Sequence, residues 1–242
     1  MRGPDRLIVF ARHPGTPDNP GLVKTRLAKD IGQQAAASLY KRIAEHTFKQ
    51  ATSLEQVQCV VLASAQQEEQ KVVQWLKELG ESPHQSPHHG SVSVSSQAQC
   101  GDLGARMLQA FEDAFQSGAS KVVLVGTDAP GLTASILQAA FDTLNEYEMV
   151  LGPAVDGGYY LIGLTRPLGC IFKDIEWSTR DVLEHTLVRA QQSGVRVSPS
   201  NTLPTLQDID TLQDLKSWVA NPANAQHEVY EAAKQGLQGH SS

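Results

Sequence analysis

The feature that most constrains this chain is the run Val122, Val123, Leu124 and Val125, followed at once by Gly126, Thr127, Asp128, Ala129, Pro130 and Gly131. Four consecutive apolar residues, three of them β-branched, predict a strand buried on both faces. In a chain of mixed composition that means the middle of a parallel sheet. Pro130 and Gly131 then turn the chain before a helical pattern begins near Thr133. Asp128 therefore stands at the carboxyl end of a central strand, where open α/β sheets bind ligands. A carboxylate in an ordinary strand-to-helix turn would look the same, because short acceptors are favoured there.

The flanking segments alternate in the same way. Residues 7–11, 57–63, 92–96 and 149–153 read as strands, and residues 33–51, 67–79, 103–117 and 136–144 keep helical spacing. Asp102 fits an N-cap, and Gly80 and Gly118 fit helix stops. Gly101 and Gly104 bracket Asp102, an arrangement that would let a ligand approach the helix N-terminus closely. Asp156 and Gly157 between two apolar runs predict a tight hairpin turn, and that carboxylate beside paired glycines is also compatible with a second pole of one site. Ser178 with Asp181, and Thr211 with Asp214, match capping boxes. Residues 195–198 read as a short edge strand. Asp208 and Asp210 lie two apart, so on extended backbone they point to one side and can share a divalent cation. Carboxylates ahead of a helix are, however, favoured for electrostatic reasons alone.

Length and charge narrow the function. The 242 residues suit one α/β domain, with a core over about 7–220 and a polar tail from 221 that carries a short helix and a frayed end at 239–242. A net charge of −6 leaves no general basic surface for a nucleic-acid backbone. No apolar run approaches the roughly 20 residues of a membrane span, and the expected location is the cytoplasm. Cys59, Cys100 and Cys170 are too few and too far apart for a disulfide framework or a cysteine zinc site. His84, His88 and His89 fall in a Pro-rich stretch expected to be an exposed loop, without the carboxylate or cysteine spacing of a metal centre. Ahead of the helix at 33–51, Lys24, Thr25 and Arg26 supply two cations and a hydroxyl, a set that can hold phosphates or can simply be solvated. Val23 stands where a Walker A motif needs Gly, which excludes a P-loop.

Six blocks carry a resemblance that runs from about Leu7 to Leu215. They are residues 24–27, 101–107, 126–132, 152–164, 177–179 and 208–211. With them the chain resembles the bacterial nucleotide-diphospho-sugar transferase-like, or CofC-like, glycosyltransferases, some of which are linked by name to arsenosugar biosynthesis. Its first loop, with Arg12, His13 and Pro14 and residues 16–20, is slightly longer than the family's pattern.

The resemblance implies a glycosyltransferase-A-type α/β fold, a mostly parallel sheet between helices with a nucleotide over its carboxyl edge. It implies a transferase whose metal carboxylate is Asp128, with Asp210 and the adjacent Asp208 as further ligands to Mg²⁺ or Mn²⁺. Lys24 and Arg26, with Thr25, would face phosphate oxygens; Gln97 and Gly101, with Asp102, would line the base; and Asp156 would face the acceptor as base. The expected partners are a nucleotide-sugar or nucleoside triphosphate and a small-molecule acceptor. Related 2-phospholactate guanylyltransferases perform nucleotidyl transfer with the same metal logic, so that reaction is the alternative to sugar transfer.

Overall fold

Side-chain alternation along two adjacent strands fixes the layers of the molecule. The structure is a computed structural model that describes residues 3–80, 92–99 and 101–238. In chain order it contains β1 (Asp5–Ala11), the short pair β2 (Gly15–Thr16) and β3 (Asn19–Pro20), α1 (Thr25–Ile31), α2 (Gln33–Thr52) and β4 (Val57–Ala63). Next come α3 (Glu69–Glu78), β5 (Val92–Ser96), α4 (Leu103–Gln116), β6 (Val122–Val125), α5 (Ala134–Thr143), β7 (Met149–Pro153) and β8 (Tyr159–Leu164). The last three are α6 (Val182–Gln192), α7 (Leu212–Ala220) and α8 (Tyr230–Gln238). Leu7 and Val9 of β1 and Val123 and Val125 of β6 join one core layer, with Tyr40, Phe48, Trp75, Leu137 and Phe141. Ile8, Val122 and Leu124 point the other way, against Met107, Phe111, Phe172 and Ala190.

The six-stranded sheet runs β5-β4-β1-β6-β8-β7. The pairs β1–β4, β4–β5 and β1–β6 are parallel, whereas β8 is antiparallel to both β6 and β7. All four residues of β6 are buried, as their uninterrupted apolar run predicts. Its surroundings correct one expectation, because β6 has a parallel neighbour on one side only. The five-residue turn between β7 and β8 is too short for a crossover, so β8 must return antiparallel.

Other differences are local. Residues 25–31 form α1, which the sequence pattern ran into a loop; Gly32, at φ 85°, breaks the helical path between α1 and α2. Residues 195–198 give a single bridge, Val197 to Met149, rather than a strand, and Pro199 lacks the donor to extend it. Ser178 and Asp181 make no capping box: Asp181 is itself the N-cap of α6, without a side-chain bond, and Ser178 takes a left-handed φ of 67°. The capping box of Thr211 and Asp214 is formed. The segment from 221 is no loose tail, since Val229 and Ala233 are fully buried against Leu27, Leu39, Ile43, Leu215 and Trp218. A buried Val contributes about 1.5–3 kcal/mol, enough to dock a short helix. Cys59 is a core residue. His84, His88, His89, Cys100 and residues 239–242 lie outside the described residues. Among the described residues no helix is long and apolar enough to cross a membrane.

Candidate active site

The chain leaves β1 toward β4 and β5 on one side and later returns to β6 on the other. The carboxyl ends of β1 and β6 therefore border the switch point at which open α/β sheets bind ligands. The β1–β6 ladder ends at Val9 and Val125. Beyond it run two connections, residues 12–24 after β1 and residues 126–133 after β6.

The first is a tight excursion that returns to the sheet edge. Gly15, at φ 80°, lies so close to the returning chain that a Cβ there would stand 2.1 Å from Gly21 N, and Arg12 Nη1 donates to Leu22 O at 3.0 Å. Gln33 of α2 donates to Gly21 O at 2.5 Å and to Val23 O at 3.3 Å, and Val23 is buried. What this anchoring presents is Lys24, a non-glycine residue in the left-handed region (φ 48°, ψ 45°) at the N-cap of α1. Strain of this kind persists where the surroundings over-determine it, characteristically at functional sites.

The Lys24 side chain is 3% exposed, and its ammonium lies between two carboxylates, 2.5 Å from Asp128 Oδ1 and 2.7 Å from Asp210 Oδ1. Arg26 reaches Asp210 Oδ2 at 2.9 Å from a largely exposed position. Burial works against the Lys24 charge, but Asp128 and Asp210 outweigh it and hold the ammonium above its ordinary range. Burial likewise works against the Asp210 carboxylate, and Lys24 with Arg26 holds it below the usual range.

Segment 206–210 gathers the remaining acids. Leu206 N donates to Pro153 O and Val155 N to Leu206 O, both at 3.0 Å, while Ile209 N donates to Asp128 O at 3.2 Å. One extended stretch thus ties the β7–β8 turn to the turn after β6. Asp214 Oδ2 accepts from Asp210 N at 3.2 Å and from Thr211 N at 2.8 Å, so the cap of α7 fixes where Asp210 stands. Burial, Asp156 and Asp210 together push the Asp208 carboxyl up to about 6. Asp156 itself is exposed, and its Oδ1 accepts from Gly158 N at 2.8 Å. Gly157 has φ 93°, and a Cβ there would meet Arg180 O at 2.0 Å, so only glycine serves.

Four carboxylates therefore share this edge with two cations. The oxygens of Asp128 and Asp210 converge on one point, and burial, with the charges of Asp156 and Asp210 added to it, perturbs Asp208. Hard oxygen donors of this kind fit Mg²⁺ or Mn²⁺. Among the described residues no three His, Cys, Asp or Glu side chains form a group that could hold a metal ion.

The other expected positions have different surroundings. Thr25 is exposed at the first turn of α1. Asp102 caps α4, accepting from Ala105 N at 2.9 Å, and Gly101 beside it has φ 69°. Gln97 is buried with both amide atoms engaged: Nε2 donates to Leu62 O and Oε1 accepts from Arg106 Nη1, each at 3.1 Å. It builds the β5–α4 junction, with β4 and β1 between it and β6. Two residues that no sequence motif marks at this site are Tyr40 and His46, whose polar atoms brace the Asp128 turn from α2, Tyr40 through the Thr127 hydroxyl. His46 Nε2 donates to Leu132 O at 2.7 Å, and its Nδ1 pairs with Glu228. A polar residue on the inward face of an Ala-rich helix is the signal that could have pointed to them.

A family model described as "Uncharacterized protein conserved in bacteria (DUF2064)" matches residues 47–179, a span that holds Asp128 and Asp156. The crystal structure of a candidate nucleotide-diphospho-sugar transferase from Desulfovibrio desulfuricans G20 is 27% identical, with 98% of this chain and 96% of that one covered and a TM-score of 0.80. That of a 4-diphosphocytidyl-2C-methyl-D-erythritol synthase from Anaerococcus prevotii DSM 20548 covers the same shares, 98% and 96%, at 10% identity and a TM-score of 0.55. At that identity the likeness is one of fold alone. No curated protein matches the chain.

Proposed function

This chain belongs to that bacterial family, whose model spans more than half of it, and we propose that it is a metal-dependent glycosyltransferase moving a sugar from a nucleotide-sugar to a small-molecule acceptor. The observation that carries the proposal is the convergence of Asp128 and Asp210 oxygens on the Lys24 ammonium at the switch point of the sheet, a place that an incoming divalent ion would take over from the ammonium. Similarity to the Desulfovibrio protein supports the transferase class and the type of donor.

A nucleoside diphosphate leaves readily only when its charge is offset. A Mg²⁺ or Mn²⁺ ion held by Asp128 and Asp210, with Asp208 beside them, would supply that offset as a Lewis acid. Arg26, largely exposed, reaches for phosphate oxygens without giving up burial, and Lys24 adds a second cation beside the carboxylates. Thr25, Gly101 and Asp102 flank the nucleotide in this reading. Gln97 contributes indirectly, by shaping the β5–α4 junction. Asp156 takes the proton from the acceptor hydroxyl, whose oxygen bonds to the anomeric carbon as the bond from that carbon to the diphosphate breaks. Its place on a glycine-backed turn keeps that carboxylate exposed.

The leaving group tests the proposal. Incubation with nucleotide-sugars and Mn²⁺, followed by chromatography of the nucleotides, should show a nucleoside diphosphate, including slow release to water when no acceptor is supplied. Pyrophosphate released from a nucleoside triphosphate would replace this reading with nucleotidyl transfer. Release of neither would overturn both and leave a nucleotide-binding role.

A further inference from the structure

At the switch point β1 and β6 must part to open a crevice, and their backbone ladder stops at Val9 and Val125. Two buried hydroxyls continue the connection. Tyr40 of α2 and Thr127, which are 4% and 2% exposed, lie with their oxygens 2.8 Å apart. The Tyr40 hydroxyl also accepts from Arg12 N at 2.9 Å, and Thr127 Oγ1 donates to Phe10 O at 3.4 Å. The proton directions close consistently: Arg12 N–H to Tyr40, Tyr40 to Thr127, Thr127 to Phe10. Both ends of this chain are main-chain groups at the end of β1, and its middle is the residue next to Asp128. Arg12 is also the residue whose guanidinium holds Leu22 O, two residues before Lys24.

We propose that the Tyr40 hydroxyl is a positioning group that couples the loop carrying Lys24 to the turn carrying Asp128, so that the two sides of the cation-binding point keep a common register. This rests on the functional reading above for its purpose, but the coupling itself is a property of the fold. The Tyr40 hydroxyl bonds to Arg12 N and Thr127 Oγ1 and not to the Lys24 ammonium or the Asp128 carboxylate themselves. It acts through Arg12 and Thr127. The ring belongs to the main core layer, so Tyr40→Phe removes one oxygen and keeps the packing. That change leaves the part-buried Arg12 N–H without the Tyr40 oxygen it donates to, and losing one partner is the costly way to break a hydrogen bond. Thr127→Val breaks the same link from the other side with little change in shape.

The test combines amide hydrogen exchange with binding of Mn²⁺ and inorganic pyrophosphate, a probe that needs no knowledge of the base. In either variant, exchange should quicken in both residues 12–24 and residues 126–132. Affinity for Mn²⁺-pyrophosphate should fall about tenfold, and the double variant should be no weaker than the worse single one, as expected when both changes remove one shared link. Faster exchange confined to the altered residue's own segment overturns the coupling, as do losses in the double variant that simply add. Unchanged affinity with lowered melting temperature would make Tyr40 a core residue only. If the wild-type protein binds no Mn²⁺-pyrophosphate, the functional reading fails, and the exchange pattern alone still upholds or overturns the coupling.

Discussion

Replacing Lys24 with Met should cost the metal-free protein about 2 kcal/mol of stability and should make its remaining stability respond to Mn²⁺. Breaking a buried ion pair by removing one partner costs about 3–5 kcal/mol. The lower figure applies here because the Asp128 side chain is 51% exposed, and water can take over part of the ammonium's work. The variant leaves Asp128 and Asp210 converging on an empty point that a divalent ion fills better than bulk water does. Ion at about 100 times its dissociation constant should return roughly 2.7 kcal/mol. Denaturant unfolding in EDTA and in Mn²⁺ measures both effects. The pH dependence follows from the sign of the shift. A lysine held above its ordinary value of 10.5 contributes stability that is fully present below that pH and is lost only as pH rises through the shifted value. The gap between wild type and variant should therefore be the same at pH 8 and pH 9, above the range in which the Asp208 carboxyl, itself under the influence of Lys24, titrates. A gap that Mn²⁺ leaves untouched would mean that these carboxylates are a structural pair and nothing more. Diphosphate affinity should also fall in this variant, by more than affinity for the bare nucleoside.

Asp156→Asn should lower turnover by about 10²–10⁴-fold, the usual worth of general acid–base catalysis, while nucleotide and metal affinity stay close to wild type. The turn gives this substitution its resolving power. Asp156 Oδ1 accepts from Gly158 N, and the Asn carbonyl can accept the same bond, so the hairpin keeps its shape. What changes is charge: the acceptor-side base is lost, and Asp208 is relieved of one repelling neighbour. Steady-state rates with saturating donor separate the two roles, and unchanged turnover would reduce Asp156 to a turn residue.

Much of the sheet was legible in the sequence because its signals are local. The apolar runs at residues 57–63 and 149–153 and the weaker alternating segment at 92–96 end where β4, β7 and β5 end. The Thr211–Asp214 box and the Asp102 cap formed because each needs only three neighbouring residues. The site was legible as a set of residue types and much less as an arrangement. Lys24 was expected to face phosphates, yet its ammonium lies against a carboxylate 186 positions away, and no spacing rule reaches that far. Which strand lies beside which decides such contacts, and β8 beside β6 shows how one short turn reverses a direction that the run itself cannot encode. The docking of α8 through Val229 and Ala233 was hidden for a related reason. Two or three apolar residues in a polar segment mark a helix face only once a partner surface exists.

In the proposed function Asp128 and Asp210 form one side of a divalent-cation site for a nucleotide's diphosphate. Calorimetric titration of nucleoside diphosphates into wild type and Asp128→Asn, each in Mn²⁺ and in EDTA, tests it most directly. The best-binding diphosphate should lose at least tenfold in affinity when EDTA replaces Mn²⁺, and Asp128→Asn, still folded, should bind in Mn²⁺ no better than wild type does in EDTA. Equal affinity of the wild type with and without metal, or full metal dependence retained in Asp128→Asn, would contradict it.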